Sequence, residues 1–145
     1  MSANQPDAGP CLCNALRQAS RAVSRLYDDE LRGVGLRTTQ YSLLGQLSRA
    51  DEVRQRDLGA LTSLDETTLT RNLRPLINAG LVAVSTAEDR REKIVRLIEA
   101  GTAKLRQARP AWERAQGRMP SRLPDGAWSG LLAAFPDLAR LADEA

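Results

Sequence analysis

Apolar residues recur along most of this chain at helical spacings of three and four, and the pattern turns β-like only in one short tract past the middle. Leu12, Ala15, Leu16, Ala19, Ala22, Val23 and Leu26 form a stripe that predicts a helix from Pro10 to about Arg32. Pro10 suits a first helical position, where its missing N–H is not needed, and Gly33 and Gly35 end the element. Small and large apolar residues alternate along the stripe, as packing against a partner helix requires, and Arg17, Arg21 and Arg25 form a basic ridge beside it. Thr38 or Thr39 is expected to cap a second helix, which carries Tyr41, Leu44 and Leu47 and stops near Ala50 and Asp51. A third, short helix covers about Gln55–Leu61, with Val53, Leu58 and Leu61 directed inward.

The segment from Asp65 to Gly80 carries the most chemistry. The Asp65 carboxylate can accept from first-turn N–H groups, which makes it an N-cap. Leu69, Leu73, Leu76 and Ile77 then share one helical face, and Gly80 takes the C′ position, where positive φ suits glycine. Thr67, Thr68, Thr70, Arg71 and Arg74 fall largely off the apolar face. Hydroxyls and guanidiniums are groups that hydrogen-bond base edges and phosphates. An ordinary amphipathic surface helix would also fit this segment alone, so its neighbours decide. A short helix, a tight turn and a polar-faced helix make a helix-turn-helix pattern.

Past Gly80, Leu81–Thr86 and Ile94–Ile98 are short β-branched runs that predict two antiparallel strands. Between them the tract from Ala87 to Lys93 contains six consecutive charged residues, Glu88 through Lys93. A charge run is ordinarily a solvated loop, but a basic hairpin directly after a helix-turn-helix is a wing, whose arginine can enter an adjacent minor groove. Residues 100–118 are helical in pattern, with Ala103, Leu105, Ala108, Trp112 and Ala115, and Pro110 is expected to kink or interrupt them. A last helical region holds Trp128, Leu131, Leu132, Phe135, Leu138 and Leu141, with Pro136 expected to divide it.

Composition narrows the choice. The 145 residues fit one domain with an added dimerisation element. With 42% hydrophobic residues but one Phe, two Tyr and two Trp, the core must be mostly Leu, Ala and Val, which favours helices. A net charge of +3 is only mildly basic, so a nucleic-acid surface must come from local clustering. There is no histidine, which removes the Ser-His-Asp triad, imidazole general bases and most zinc sites. No glycine-rich phosphate loop is present, and no enzyme, cofactor or metal is expected. The polar first ten residues lack the apolar region of a signal peptide, and no apolar run approaches the roughly 20 residues of a membrane span. A cytoplasmic protein with no membrane association is expected.

The order of elements resembles the MarR family of bacterial transcription regulators, from about Cys11 to Leu141. The wing carries the resemblance most specifically. Asp89 and Arg91 match an Asp-x-Arg signature at its tip, and Leu97 and Gly101 match the Leu-Thr-x-x-Gly that closes the following strand. Ile98 stands where that pattern has threonine, so the fifth helix lacks its usual hydroxyl cap. Leu76 to Val82 likewise matches the family's Leu-x-x-x-Gly-Leu-Val end to the recognition helix. The resemblance implies a mainly α fold with a small β-hairpin wing. Residues 1–9 would be a disordered lead, 36–99 a winged helix-turn-helix domain, and 10–32 and 100–143 dimerisation helices.

It also implies a double-stranded DNA partner, with Thr67, Thr68, Thr70, Arg71 and Arg74 facing the major groove and Arg91 the minor groove. Asp89 would orient Arg91 by an ion pair or hydrogen bond, Arg90 and Lys93 would contact phosphates, and Gln55 and Arg56 would touch the backbone. The implied assembly is a homodimer on a pseudo-palindromic operator, released by a small aromatic or phenolic effector or by thiol oxidation. Arg17, Arg21, Tyr41 and Trp112 are candidates to line an effector pocket. The apolar stripe of the first helix and the apolar C-terminal region independently exceed what one small winged domain can cover.

Cys11 and Cys13 fall in the expected first turn, on opposite sides of a helix, where an intramolecular disulfide would need that turn to unwind. Two readings stay open: oxidation-sensing thiols at a helix N-terminus, which favours thiolate, or small residues packed in a dimer. Two alternative functions stand beside transcription regulation. A winged-helix protein–protein module would bind DNA without operator preference, and a thiol enzyme using Cys11 or Cys13 has no partner base in the sequence.

Overall fold

The computed structural model describes residues 9–141 and Glu144. The lead expected over residues 1–9 therefore lies, except for its last residue, outside the described residues. The chain folds as α1 (Leu12–Leu31), α2 (Thr38–Ser48), β1 (Glu52–Arg54), α3 (Gln55–Thr62), α4 (Glu66–Asn78), β2 (Val82–Thr86), β3 (Lys93–Leu97), α5 (Glu99–Gly117) and α6 (Ala127–Arg140). Short 3-10 turns follow α1 at Arg32–Val34 and α5 at Pro120–Arg122.

The helix starts depend on what each first turn finds to accept its N–H groups. α1 begins one turn-edge later than Pro10 suggests, with Cys11 at the N-cap and Gly35 closing the following 3-10 turn at φ +74°. Neither Thr38 nor Thr39 caps α2. Arg37 holds the cap position and donates its N–H to Gln40 Oε1 at 3.0 Å, while the Thr38 N–H goes to Asp28 Oδ1 of α1 at 2.7 Å. A carboxylate ten positions earlier has taken the role expected of a local hydroxyl. At α5 the start matches expectation, because Ile98 sits at the N-cap with no side-chain hydrogen bond.

The hairpin of β2 and β3 forms as expected, but β1 joins it, giving an antiparallel sheet in the order β1-β3-β2. β1 pairs Val53 with Val95, and β2 pairs Val84 with the same Val95 from the other side. Glu52-Val-Arg54 contains one apolar residue and shows no strand pattern of its own. It is a strand because α2 and α3 set it beside β3, whose unpaired edge supplies the hydrogen bonds.

Leucines fill the core: Leu31, Leu43, Leu44, Leu47, Leu58, Leu69, Leu73 and Leu76 are all buried, closed by Val82 and Val95 of the sheet. Of the residues expected to face inward on α3 and α4, two are exposed, and Val53 just before α3 is half-buried. Leu61 is exposed because the inward direction of α3 centres on Leu58 and Gly59, leaving Leu61 to one side. Ile77 is exposed at the edge of the α4 apolar arc, in the last turn of that helix.

α5 runs unbroken through Pro110, and α6 through Pro136. A proline removes the N–H that would reach the carbonyl four residues earlier. In α5 both Arg106 and Pro110 are exposed, so the released carbonyl can meet water while Ala108, Ala111 and Ala115 stay packed on the opposite face. α6 carries no buried residue, so its released carbonyl is equally open to water.

α5 is tied to the C-terminal half of α1 by Glu30, which accepts from Arg114 Nε at 3.0 Å and Arg118 Nη1 at 3.2 Å. The hydrogen bond from Arg114 holds the Glu30 carboxyl below its usual range. The Tyr27 hydroxyl donates to Gln116 alongside. Among the described residues nothing comparable ties down the N-terminal part of α1: Leu12, Leu16 and, further along, Val23 are exposed, as are Leu131, Leu132, Phe135 and Leu141 in and after α6. Among the described residues no helix is long and apolar enough to cross a membrane.

Candidate DNA-binding face

α4 stands out from the core with one side buried and the other open. Its start is built as the sequence predicts. Asp65 Oδ1 accepts from the Thr68 N–H at 2.8 Å, and Oδ2 accepts from the Thr68 hydroxyl at 2.9 Å. The Thr68 N–H, before its hydroxyl, holds the Asp65 carboxyl below the usual aspartate value. Gly80 follows the helix at φ +71°, and its neighbour Leu81 donates to the Leu76 carbonyl at 2.9 Å, closing the C-terminus. The turn between α3 and α4 passes through Ser63 at φ +54°, a left-handed position held by the Leu64 N–H on Gly59 O at 3.0 Å.

This capping divides the expected DNA residues of α4. Thr68 is half-buried and its hydroxyl is engaged by Asp65, so it serves the helix start before any groove. Thr70 is exposed and donates back to the Glu66 carbonyl at 2.9 Å, leaving its oxygen able to accept. Thr67, Arg71 and Arg74 are exposed, and no hydrogen bond or ion pair engages the side chain of any of the three among the described residues. They line one open surface with Glu66, Pro75 and Asn78. Asn72, which no pattern in the sequence marks, is half-buried and locks the helix in place. Its Nδ2 donates to the Thr68 carbonyl, and its Oδ1 accepts from the Thr39 hydroxyl of α2 at 2.8 Å.

The wing lies beside this surface. The Asp89 carbonyl accepts from the Arg91 and Glu92 N–H groups, and Ala87 donates to the Glu92 carbonyl at 2.8 Å, folding the charged tract into a tight turn. Asp89 thus orders the wing tip through its backbone; no ion pair joins its carboxylate to Arg91 among the described residues. Arg90, Arg91 and Lys93 are exposed. The wing's ion pairs are formed instead by Glu92, with Arg54 of β1 and Arg56 of α3. Nothing in the sequence singles out Glu92 or Arg54, which are separated by almost forty positions.

Gly101 shows why the wing motif ends in glycine. A Cβ there would run into the Leu81 carbonyl oxygen and Leu97 Cδ1, so only glycine lets α5 start this close to the sheet.

A profile of the MarR family matches residues 34–92, from the approach to α2 to the wing. Over 93% of its length the chain is also 32% identical to a DNA-bound crystal structure of the M. tuberculosis transcriptional regulator MosR, covering 98% of that chain with a TM-score of 0.81. The chain belongs to the MarR family. A MarR-family regulator from Rhodococcus sp. RHA1 is similar as well, 25% identical across 90% of this chain and 96% of the other at a TM-score of 0.76. A further relative, the uncharacterized HTH-type transcriptional regulator YwoH of Bacillus subtilis, is 26% identical over 96 residues, 66% of this chain and 70% of its own. As a MarR-family member the chain is a transcriptional regulator, not an enzyme.

Two other candidate sites sit outside this candidate face. A groove of about 670 Å³ runs between α2 and α5, where Tyr41 stacks on Trp112 with ring centroids 5.9 Å apart. Burial pushes the Tyr41 phenol above its ordinary value. Of the four expected lining residues, Tyr41 and Trp112 line this groove, whereas Arg17 and Arg21 do not and lie exposed on α1. Its cations are Arg49, Arg106 and Arg109. Cys11 and Cys13 are free and exposed, Cys11 at the N-cap rather than inside the first turn, and Arg17 Nη2 donates to Cys13 Sγ at 3.6 Å.

Proposed function

We propose that this MarR-family regulator is a sequence-specific repressor that binds a pseudo-palindromic operator as a homodimer. The observation that carries this is the single face on which Thr67, Thr70, Arg71 and Arg74 of α4 stand open beside Arg90, Arg91 and Lys93 of the wing. An α-helix fits into a major groove, and a wing arginine beside it is within reach of the neighbouring minor groove. In this reading Thr68 and Asp89 act by shaping the helix start and the wing tip, and Gln55 and Arg56 flank the phosphate path. The winged domain corresponds to about residues 36–99, and the segments 10–32 and 100–143 serve dimerisation, the exposed leucines of α1 and α6 and Phe135 meeting a second copy. A two-fold dimer would place its two α4 helices about one helical turn of DNA apart.

Release would come from a shift between dimer arrangements that do and do not match that spacing. Two sites are suited to it. The α2–α5 groove combines a stacked aromatic pair with three arginines, a lining that fits a small aromatic or phenolic anion. Cys11 and Cys13 are exposed where α1 begins, open to an oxidant.

The test is fluorescence anisotropy on DNA from the protein's own upstream region against scrambled DNA, with and without a thiol oxidant and a series of aromatic acids. A preference of roughly a thousandfold or more supports the repressor reading. Equal binding to both duplexes would favour a winged-helix protein–protein module instead. Loss of binding on oxidation assigns release to Cys11 or Cys13, and loss with an aromatic acid assigns it to the groove.

A further inference from the structure

The cations around the DNA face are not equivalent. Arg71, Arg74, Arg90, Arg91 and Lys93 have no ion pair among the described residues, whereas Arg54 and Arg56 are both held by one carboxylate. Arg54 Nη1 lies 3.3 Å from Glu92 Oε2, and Arg56 Nη2 lies 3.5 Å from Glu92 Oε1, so each oxygen faces its own guanidinium. The geometry is set by three separate elements. Arg54 ends β1 opposite Ile94, Arg56 lies in the first turn of α3, and Glu92 immediately precedes β3. The Glu92 side chain is 30% exposed, its partners 57% and 79%. All three line a cleft of about 440 Å³ whose other walls include Thr70 of α4 and Arg91 and Lys93 of the wing. A duplex lying on α4 and the wing would carry its phosphates past this cleft.

We propose that Glu92 is an internal stand-in for phosphate, which withholds Arg54 and Arg56 from sequence-independent DNA binding and so sharpens operator preference. The inference rests on the DNA-binding reading above. Two guanidiniums already satisfied by a carboxylate gain little from a loosely held duplex, and the carboxylate itself repels the approaching polyanion. The pairs are open to solvent on the arginine side, so they remain exchangeable. Only when α4 is lodged in its groove does a phosphate stand close enough to replace the carboxylate. Glu92 is thus a positioning residue: it touches no base, and acts through the two arginines it holds or releases.

The salt dependence of binding separates this role from a simple brace for the wing. Each phosphate contact steepens the fall of log K against log salt by about 0.9. Glu92→Gln keeps the side chain's shape and removes its charge. On scrambled DNA the variant should steepen that slope by roughly 1 to 2 and raise affinity on the order of tenfold near 0.1 M salt. Its slope on operator DNA should barely change, so the preference for operator falls. Adding Arg54→Ala and Arg56→Ala to Glu92→Gln should restore the parent slope on scrambled DNA. An unchanged slope on scrambled DNA, or equal weakening on both duplexes, overturns the inference and leaves the repressor reading intact. A parent protein that shows no operator preference overturns that reading, while the slope on scrambled DNA still decides whether Glu92 withholds the arginines. Failure of the parent to bind either duplex overturns both.

Discussion

The winged half of the molecule and its terminal helices treat the same residue types in opposite ways. From α2 to β3 the chain buries most of its own leucines: Leu43, Leu44, Leu58, Leu69, Leu73 and Leu76 are at most 2% exposed, and Leu61 is the exposed exception. In the first half of α1 and in α6, leucines at equally regular helical spacing are left open, from Leu16 at 37% to Leu12 at 60%. The first region is self-sufficient, with its outward face given to hydroxyls and cations. The second leaves large apolar side chains exposed on α1 and α6, and extensive apolar surface rarely stays bare on a monomer. A hydrophobic pattern therefore says that a face will be covered, and the folded chain shows which faces it covers itself.

The comparison can be broken at its strongest point first. Leu43→Ala removes a fully buried side chain from the self-sufficient half and should lower stability by about 2–5 kcal/mol, read from urea unfolding by circular dichroism. A loss below about 1 kcal/mol would mean that the winged core is looser than its packing suggests.

Phe135→Asp tests the other half. It should leave the monomer fold's circular dichroism unchanged but weaken self-association by roughly 1.5–3 kcal/mol, the worth of one buried large apolar side chain. Light scattering across a dilution series measures this, and an unaltered association constant would remove α6 from the proposed interface.

On the outward face, Arg71→Ala should weaken operator binding by about 1–3 kcal/mol without changing stability. Arg91→Ala should lose more affinity on AT-rich than on GC-rich flanks, because a narrow minor groove attracts the guanidinium more strongly. Equal loss on both flanks would argue against minor-groove insertion.

The smallest effect is expected at the α4 cap. Asp65→Ala should lower the thermal midpoint modestly, and the gap between parent and variant should depend on pH. The Asp65 carboxyl is held below its usual value by the Thr68 N–H, so its contribution is complete above the unfolded aspartate range. That contribution fades as pH falls through the lowered folded value. The gap between the two proteins' thermal midpoints should therefore be full at neutral pH and close in strong acid; a gap that persists unchanged in acid would assign the cap's effect to something other than its charge.

Much of the proposed DNA face is legible in the sequence, because its causes are local. Asp65 and Gly80 mark the ends of α4 through hydrogen bonds that span a few residues. Leu69, Leu73 and Leu76 mark its inner side by spacing alone, and the hairpin follows from two β-branched runs around a charged turn. What spacing cannot rank is competition for a side chain. Thr67 and Thr68 are neighbours with the same chemistry, but only the Thr68 hydroxyl is taken by Asp65.

By itself, the sequence determined the helical periods, the capped and polar-faced α4 and the charged wing, all products of backbone geometry and contacts within about one helical turn. Tertiary structure decided the rest: that Asp28 serves the start of α2, that Glu52–Arg54 becomes a strand, and that α5 continues through Pro110. It also decided that Gly101 must admit the Leu81 carbonyl and that Glu92 meets Arg54 and Arg56. Each of these joins groups that lie far apart along the chain or sets a local penalty against packing on a distant element. Their energies exist only once the core has brought those elements together.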